Sequence, residues 1–138
     1  MQVDSRVVRV RPLPRPGRPT YERRRQRSHN AADALRLALT RAVHRGALEA
    51  MILVDDEGLL VAQSETGIDL SMLAAVTPIV GRGRAIPKVS RNGEPLEMNV
   101  CVVELEGELF YLAALGGTRL TRHRELSGGR AAARRILA

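Results

Sequence analysis

The chain has one cysteine, one lysine, no tryptophan and three aromatic residues in 138 positions. Each shortage excludes a class of chemistry. The single Cys101 rules out an intramolecular disulfide framework and any multi-cysteine metal site, and a reducing, cytoplasmic setting is the expectation. The lone lysine stands in Ile86-Pro87-Lys88, so the G-x-x-x-x-G-K-[ST] phosphate loop is missing. Gly81-Arg82-Gly83 starts like a dinucleotide loop. Its sixth position is Ile86, however, and it follows a helical pattern where a strand is required. There is no G-x-S-x-G elbow. Phe110 and Tyr111 are adjacent, so in a strand they point to opposite faces and cannot form a base-stacking platform.

Long apolar runs are also missing. Nothing approaches the ~18 residues of a membrane span, and the arginine-rich start lacks the apolar core of a secretory leader. His29, His44 and His123 have no histidine or cysteine partner at metal-ligand spacing. Asp55, Asp56 and Glu57 could hold a cation, but a tight turn accounts for them without one. Cys101, in a strand pattern, reads as a small buried hydrophobe. No catalytic set, metal site or cofactor site emerges, so an enzyme is not expected.

What is present is arginine, unevenly placed. The net charge is +7. Residues 1–28 hold nine arginines against Asp4 and Glu22, which already accounts for it; the remaining 13 basic and 13 acidic residues cancel. Pro12, Pro14, Pro16 and Pro19 interrupt the basic segment, so residues 1–28 are expected to be a disordered arm without regular helix. Its densest cluster, Arg23, Arg24, Arg25 and Arg27, is the candidate site for weak, salt-sensitive polyanion contacts. The neutral body, without a stacking platform, is expected to have negligible affinity for nucleic acid.

Hydrophobic spacing predicts the elements of residues 29–138. Asn30 is positioned to cap a helix over 31–45 with Leu35, Leu39, Ala42 and Val43 on one stripe, and Gly46 to stop it. Apolar runs at 47–54 and 59–64 flank the acidic turn 55–58, a hairpin whose glycine permits positive φ. Asp69 is placed to cap a helix bearing Leu70, Leu73, Ala74, Thr77 and Val80, with Pro78 bending or ending it and Gly81 closing it. Residues 85–90 fit a short edge strand around Pro87, and Asn92-Gly93 a turn. A second hairpin, 96–105 and 108–115, turns at Glu106-Gly107. Met98, Val100 and Val102 alternate there with Cys101, Val103 and Leu105, so the sheet is covered on both sides. A short Ala-rich helix is expected from about residue 130.

Residues 47–74, ALEAMILVDDEGLLVAQSETGIDLSMLA, resemble the roadblock family, the dynein-light-chain roadblock type also found in bacteria. MNVCVVELEGELFYLAALGG is similar to the family's central strands, and GGRAAARRILA to its closing helix. The resemblance implies an α/β (α+β) fold, with an antiparallel sheet of about five strands between helices, roadblock/profilin-like. It further implies a cytoplasmic, non-enzymatic adaptor that homodimerises and binds a Ras-like small GTPase or a related signalling partner, without cofactor. The face of the second helix, Leu70, Leu73, Ala74 and Thr77, is the interface this implies. Pro78 in that helix and the weak strand near Pro87 depart from the pattern. Rival expectations are a GAF- or PAS-type small-ligand sensor and a nucleic-acid accessory protein acting through its arm.

Overall fold

The computed structural model describes the backbone of residues 18–67, 69–83, 89–91 and 93–137. Ala31–Ala138 form one compact unit. The elements are α1 (Arg18–Gly46), β1 (Ala50–Asp55), β2 (Leu60–Gln63), α2 (Ser71–Gly81), β3 (Val89–Arg91), β4 (Glu94–Leu96), β5 (Met98–Leu105), β6 (Glu108–Leu115) and α3 (Arg119–Leu137).

Helix α1 begins at Arg18, well before the expected start, so Asn30 lies inside it and caps nothing. The prolines explain why. Pro19 falls in the first turn, where a missing N–H costs no helical bond, and residues 20–45 contain neither proline nor glycine. The expectation of no helix before residue 28 is therefore corrected from Arg18 onward; residues 1–17 lie outside the described residues.

The end of α1 differs too. The left-handed residue is Ala47 (φ 52°) rather than Gly46. Its N–H donates to the His44 carbonyl at 3.3 Å, and the Leu48 N–H donates to the Val43 carbonyl at 2.9 Å. This bond pair is a Schellman motif, with Leu48 closing over the apolar side. Gly46 is needed for a different reason: a Cβ there would sit 2.9 Å from Glu125 Cγ.

The main sheet has four antiparallel strands in the order β2-β1-β6-β5. Val54 pairs with Tyr111 across β1 and β6, and Tyr111 with Val102 across β6 and β5. Alternation splits the core in two. Met51, Leu53, Leu112, Ala114 and Val103 face Leu35 and Leu39 of α1 and Leu126 and Ala133 of α3. Ile52, Val54, Tyr111, Ala113 and Leu115 face Leu70, Leu73 and Ala74 of α2. Each fully buried leucine contributes about 2–3 kcal/mol of transfer free energy.

The expected five-stranded sheet is thus four strands plus a separate hairpin. Among the described residues β3 and β4 pair only with each other, Val89 opposite Leu96. Gly93 turns between them at φ 81°, so the chain folds back after three residues. Residues 84–88, with Pro87, lie outside the described residues. β2 is an edge strand: Leu60 is 46% accessible and Leu59, just before it, 63%, against the two-sided cover expected of the sheet.

α3 is a 19-residue helix, not a short one from residue 130. Thr118 and Thr121 cap it reciprocally. The Thr121 N–H donates to Thr118 Oγ1 at 3.1 Å, and the Thr118 N–H to Thr121 Oγ1 at 3.0 Å. Of the two glycines inside the helix, Gly129 is required by packing, since a Cβ there would meet Leu112 Cδ2 at 2.8 Å, whereas one on Gly128 meets nothing within 4 Å. The helix crosses the sheet at Gly129.

Candidate functional site

The acidic turn is held by its own backbone and by α2. Asp55 Oδ1 accepts the Glu57 and Leu59 N–H groups, both at 2.9 Å. Arg82, one residue past α2, donates through Nη2 to Asp56 Oδ1 at 2.6 Å and to the Asp56 carbonyl at 2.8 Å. The Tyr111 hydroxyl donates to the same carboxylate at 3.2 Å, and the Arg82 guanidinium stands 5.8 Å from the Tyr111 ring centre. The Arg82 hydrogen bond lowers the pKa of Asp56, and Asp56 raises that of Arg82. Both groups are solvated, so this is an oriented surface pair of modest strength. Tyr111 is a core residue with a polar tip. Among the described residues no cluster of three metal-ligating side chains forms.

Leu70, Leu73, Ala74 and Thr77, the residues expected at a dimer interface, are all buried against the chain's own sheet. The amphipathic stripe is real, but its neighbour is the β1–β6 surface of the same chain. The Thr77 hydroxyl bonds back to the Leu73 carbonyl at 2.7 Å. Asp69 accepts the Ser71 N–H at 3.0 Å, one residue earlier than a cap, and the N-cap position is Leu70. Pro78 stays inside α2 rather than ending it.

The exposed side of α2 therefore defines the candidate surface. Ala75 lies over Gly58, and Arg82 holds Asp56, so that flank faces the β1–β2 turn. Val76 (36% accessible) and Ile79 (40%) are exposed on the outer side of α2, at 100° per residue about 100° and 40° round the helix from Ala75. β5 presents Val102 (39%) on the same sheet face, beside partly buried Val100 and Met98. Among the described residues α2 covers this face, and Val76, Ile79 and Val102 are left exposed. An open groove of about 410 Å³ runs between β2 and α2, lined by Leu59, Leu60, Gln63, Leu70 and Ser71.

Two buried ions have no counterpart in the expectations. Arg122 donates to Asn99 Oδ1 at 2.6 Å, Glu97 Oε1 at 2.7 Å and the Gly116 carbonyl at 2.9 Å. It thereby ties α3 to the β5–β6 ladder at the end where β5 starts and β6 finishes. Glu125 accepts from Arg45 at 2.7 and 3.0 Å and from Arg124 at 3.2 Å. The Arg45 hydrogen bond outweighs burial and lowers the pKa of Glu125. A lone acid inside a basic helical segment was the available signal for this pair.

The side chains of Arg23, Arg24, Arg25 and Arg27 lie outside the described residues, as do those of His29, Lys88 and Arg91. Cys101 is half-buried beside the α1/α3 core, and His44 and His123 are exposed. No described helix is long and apolar enough to cross a membrane.

Helices flank a central antiparallel sheet, entered by a helix and two hairpin strands, in an α/β fold of the roadblock kind. Solved structures of the MglB proteins share the fold. Myxococcus xanthus MglB is 13% identical at a TM-score of 0.55, covering 76% of this chain and 88% of that one. The gliding protein MglB from Thermus thermophilus is 14% identical at 0.58, covering 77% and 90%. MglB in a tetrameric arrangement is likewise 14% identical at 0.58, covering 77% and 89%. No protein-family model matches the chain, and no curated protein does.

Proposed function

We propose that the chain is a non-enzymatic adaptor that homodimerises and binds a Ras-like small GTPase or a related signalling partner. The carrying observation is the fold shared with the MglB gliding proteins over about three quarters of the chain. The exposed Val76 and Ile79 of α2 support self-association, because a twin helix laid on α2 would remove two large apolar groups from water. The catalytic work, where there is any, belongs to the GTPase, and this chain changes its rate or its location.

The test is nucleotide hydrolysis and release by small GTPases encoded alongside this chain, with and without the purified protein. A change in either rate, lost with Ile79→Arg, supports the proposal. No complex and no rate change across those GTPases sinks it. The small-ligand sensor draws on no observation of this structure: the β2/α2 groove is open, and Asp69 beside it is engaged by Ser71.

A further inference from the structure

The body of the protein is neutral only as a sum. Across the α1 segment 31–46 and α3 there are nine arginines against two acids, Asp33 and Glu125, a surplus of seven. Residues 47–118, with the strands, turns and α2, hold four basic and eleven acidic residues, a deficit of seven. α1 and α3 pack on the same sheet face, so the cations gather on one side of the domain. Arg122 and Arg45 are paired with Glu97 and Glu125. Arg41, Arg119, Arg134 and Arg135 are exposed and carry no ion pair among the described residues.

We infer that this two-helix face is a docking surface for an anionic lipid bilayer. Charge sets the sign of the partner: juxtaposed arginines attract acidic headgroups at about 1 kcal/mol each near the surface. Leucine sets its kind. Leu120, 74% accessible, is the most exposed large hydrophobe described, and Leu37 is 46% accessible. Both project from the helices that carry the arginines. A phosphodiester backbone offers them nothing, whereas a bilayer interface accepts leucines between arginines whose heads reach the phosphates. The contact is peripheral, since no described helix spans a membrane. The α2 side, which bears the exposed Val76 and Ile79, stays turned away from the bilayer and free for protein partners.

The test is co-sedimentation of the full chain with vesicles of phosphatidylcholine alone and of an equimolar phosphatidylcholine–phosphatidylserine mixture. Binding to the mixed vesicles only is expected. The triple variant Arg41→Glu, Arg134→Glu, Arg135→Glu should lose roughly a hundredfold in partition coefficient, about fivefold per cation removed. Leu120→Ser should weaken binding several-fold, and circular dichroism confirms that each variant is folded. The same losses should appear on a background with Arg23, Arg24, Arg25 and Arg27 changed to Gln, which separates this face from the arm. Equal binding to neutral vesicles, or no loss in the folded triple variant, overturns the proposal. So does tighter retention on a short DNA duplex at the same salt with no effect of Leu120→Ser, which assigns the face to nucleic acid.

Discussion

Arg45 and Glu125, 80 residues apart in sequence, meet at one atom: Nε and Nη2 of the arginine both donate to Glu125 Oε1, at 3.0 and 2.7 Å. The pair fastens the end of α1 to the middle of α3, directly over Gly46. Glu125 is buried while Arg45 reaches solvent, so the carboxylate is the side that cannot do without its partner.

Replacing Glu125 should therefore cost more than replacing Arg45. Glu125→Ala is expected to destabilise by about 1–3 kcal/mol, read from urea unfolding. The acid limb supplies a second measurement. Its folded pKa is lowered, so the contribution is fully present above the ordinary glutamate pKa of about 4.3 and is lost as pH falls through the folded value. Glu125→Gln should flatten that limb; an unchanged slope below pH about 4 counts against the pair.

Ala47→Gly is expected to stabilise the protein by about 0.5–1 kcal/mol, because glycine adopts the left-handed conformation without the Cβ penalty. The urea midpoint should rise at constant slope. A fall would mean that the Ala47 methyl group contributes packing that its exposed position does not show.

The adjacent glycines of α3 should respond in opposite directions. A Cβ at Gly128 meets nothing within 4 Å, so Gly128→Ala gains about 1 kcal/mol of helix propensity. Gly129→Ala pushes on Leu112 and Met51 and should lose about 1–3 kcal/mol. Melting temperatures that move the same way for both would refute the crossing at Gly129.

On α2, Leu73→Arg should unfold the domain, since it places a charge in a core position. Ile79→Arg and Val76→Arg should leave the melting temperature nearly unchanged and convert a dimer to monomer in light scattering. A dimer mass that survives both substitutions moves the interface elsewhere.

Both hairpins were legible because two-residue alternation and turn glycines are local signals. Gly58 and Gly107 adopt the positive φ their turns require. The ends of the helices were not. The sequence argued for Asn30 as a cap, yet nothing between residues 20 and 45 breaks a helix. Gly128-Gly129 disguised α3, because a packing requirement looks like a helix breaker until Leu112 is seen beside it. For α2 the apolar stripe is legible, and in the fold its neighbour is the chain's own β1–β6 surface. Spacing identifies a buried face but not the surface that buries it. Arg122, Glu125 and the two-sided charge of the body all need the folded arrangement, because a sum over the sequence cancels them.

Gly81 packs against the ring of Tyr111 so closely that any Cβ at position 81 would collide with it. The same ring fills the core beneath α2 and offers its hydroxyl to Asp56. The two positions cannot drift separately. A side chain at 81 is admissible only after 111 has become smaller, and that first step opens a cavity costing about 3–5 kcal/mol for a large aromatic reduced to alanine. Substitutions here have an enforced order with an unstable intermediate. Among distant relatives sharing this packing, glycine at the end of the second helix and an aromatic residue in the last strand should be kept or exchanged together.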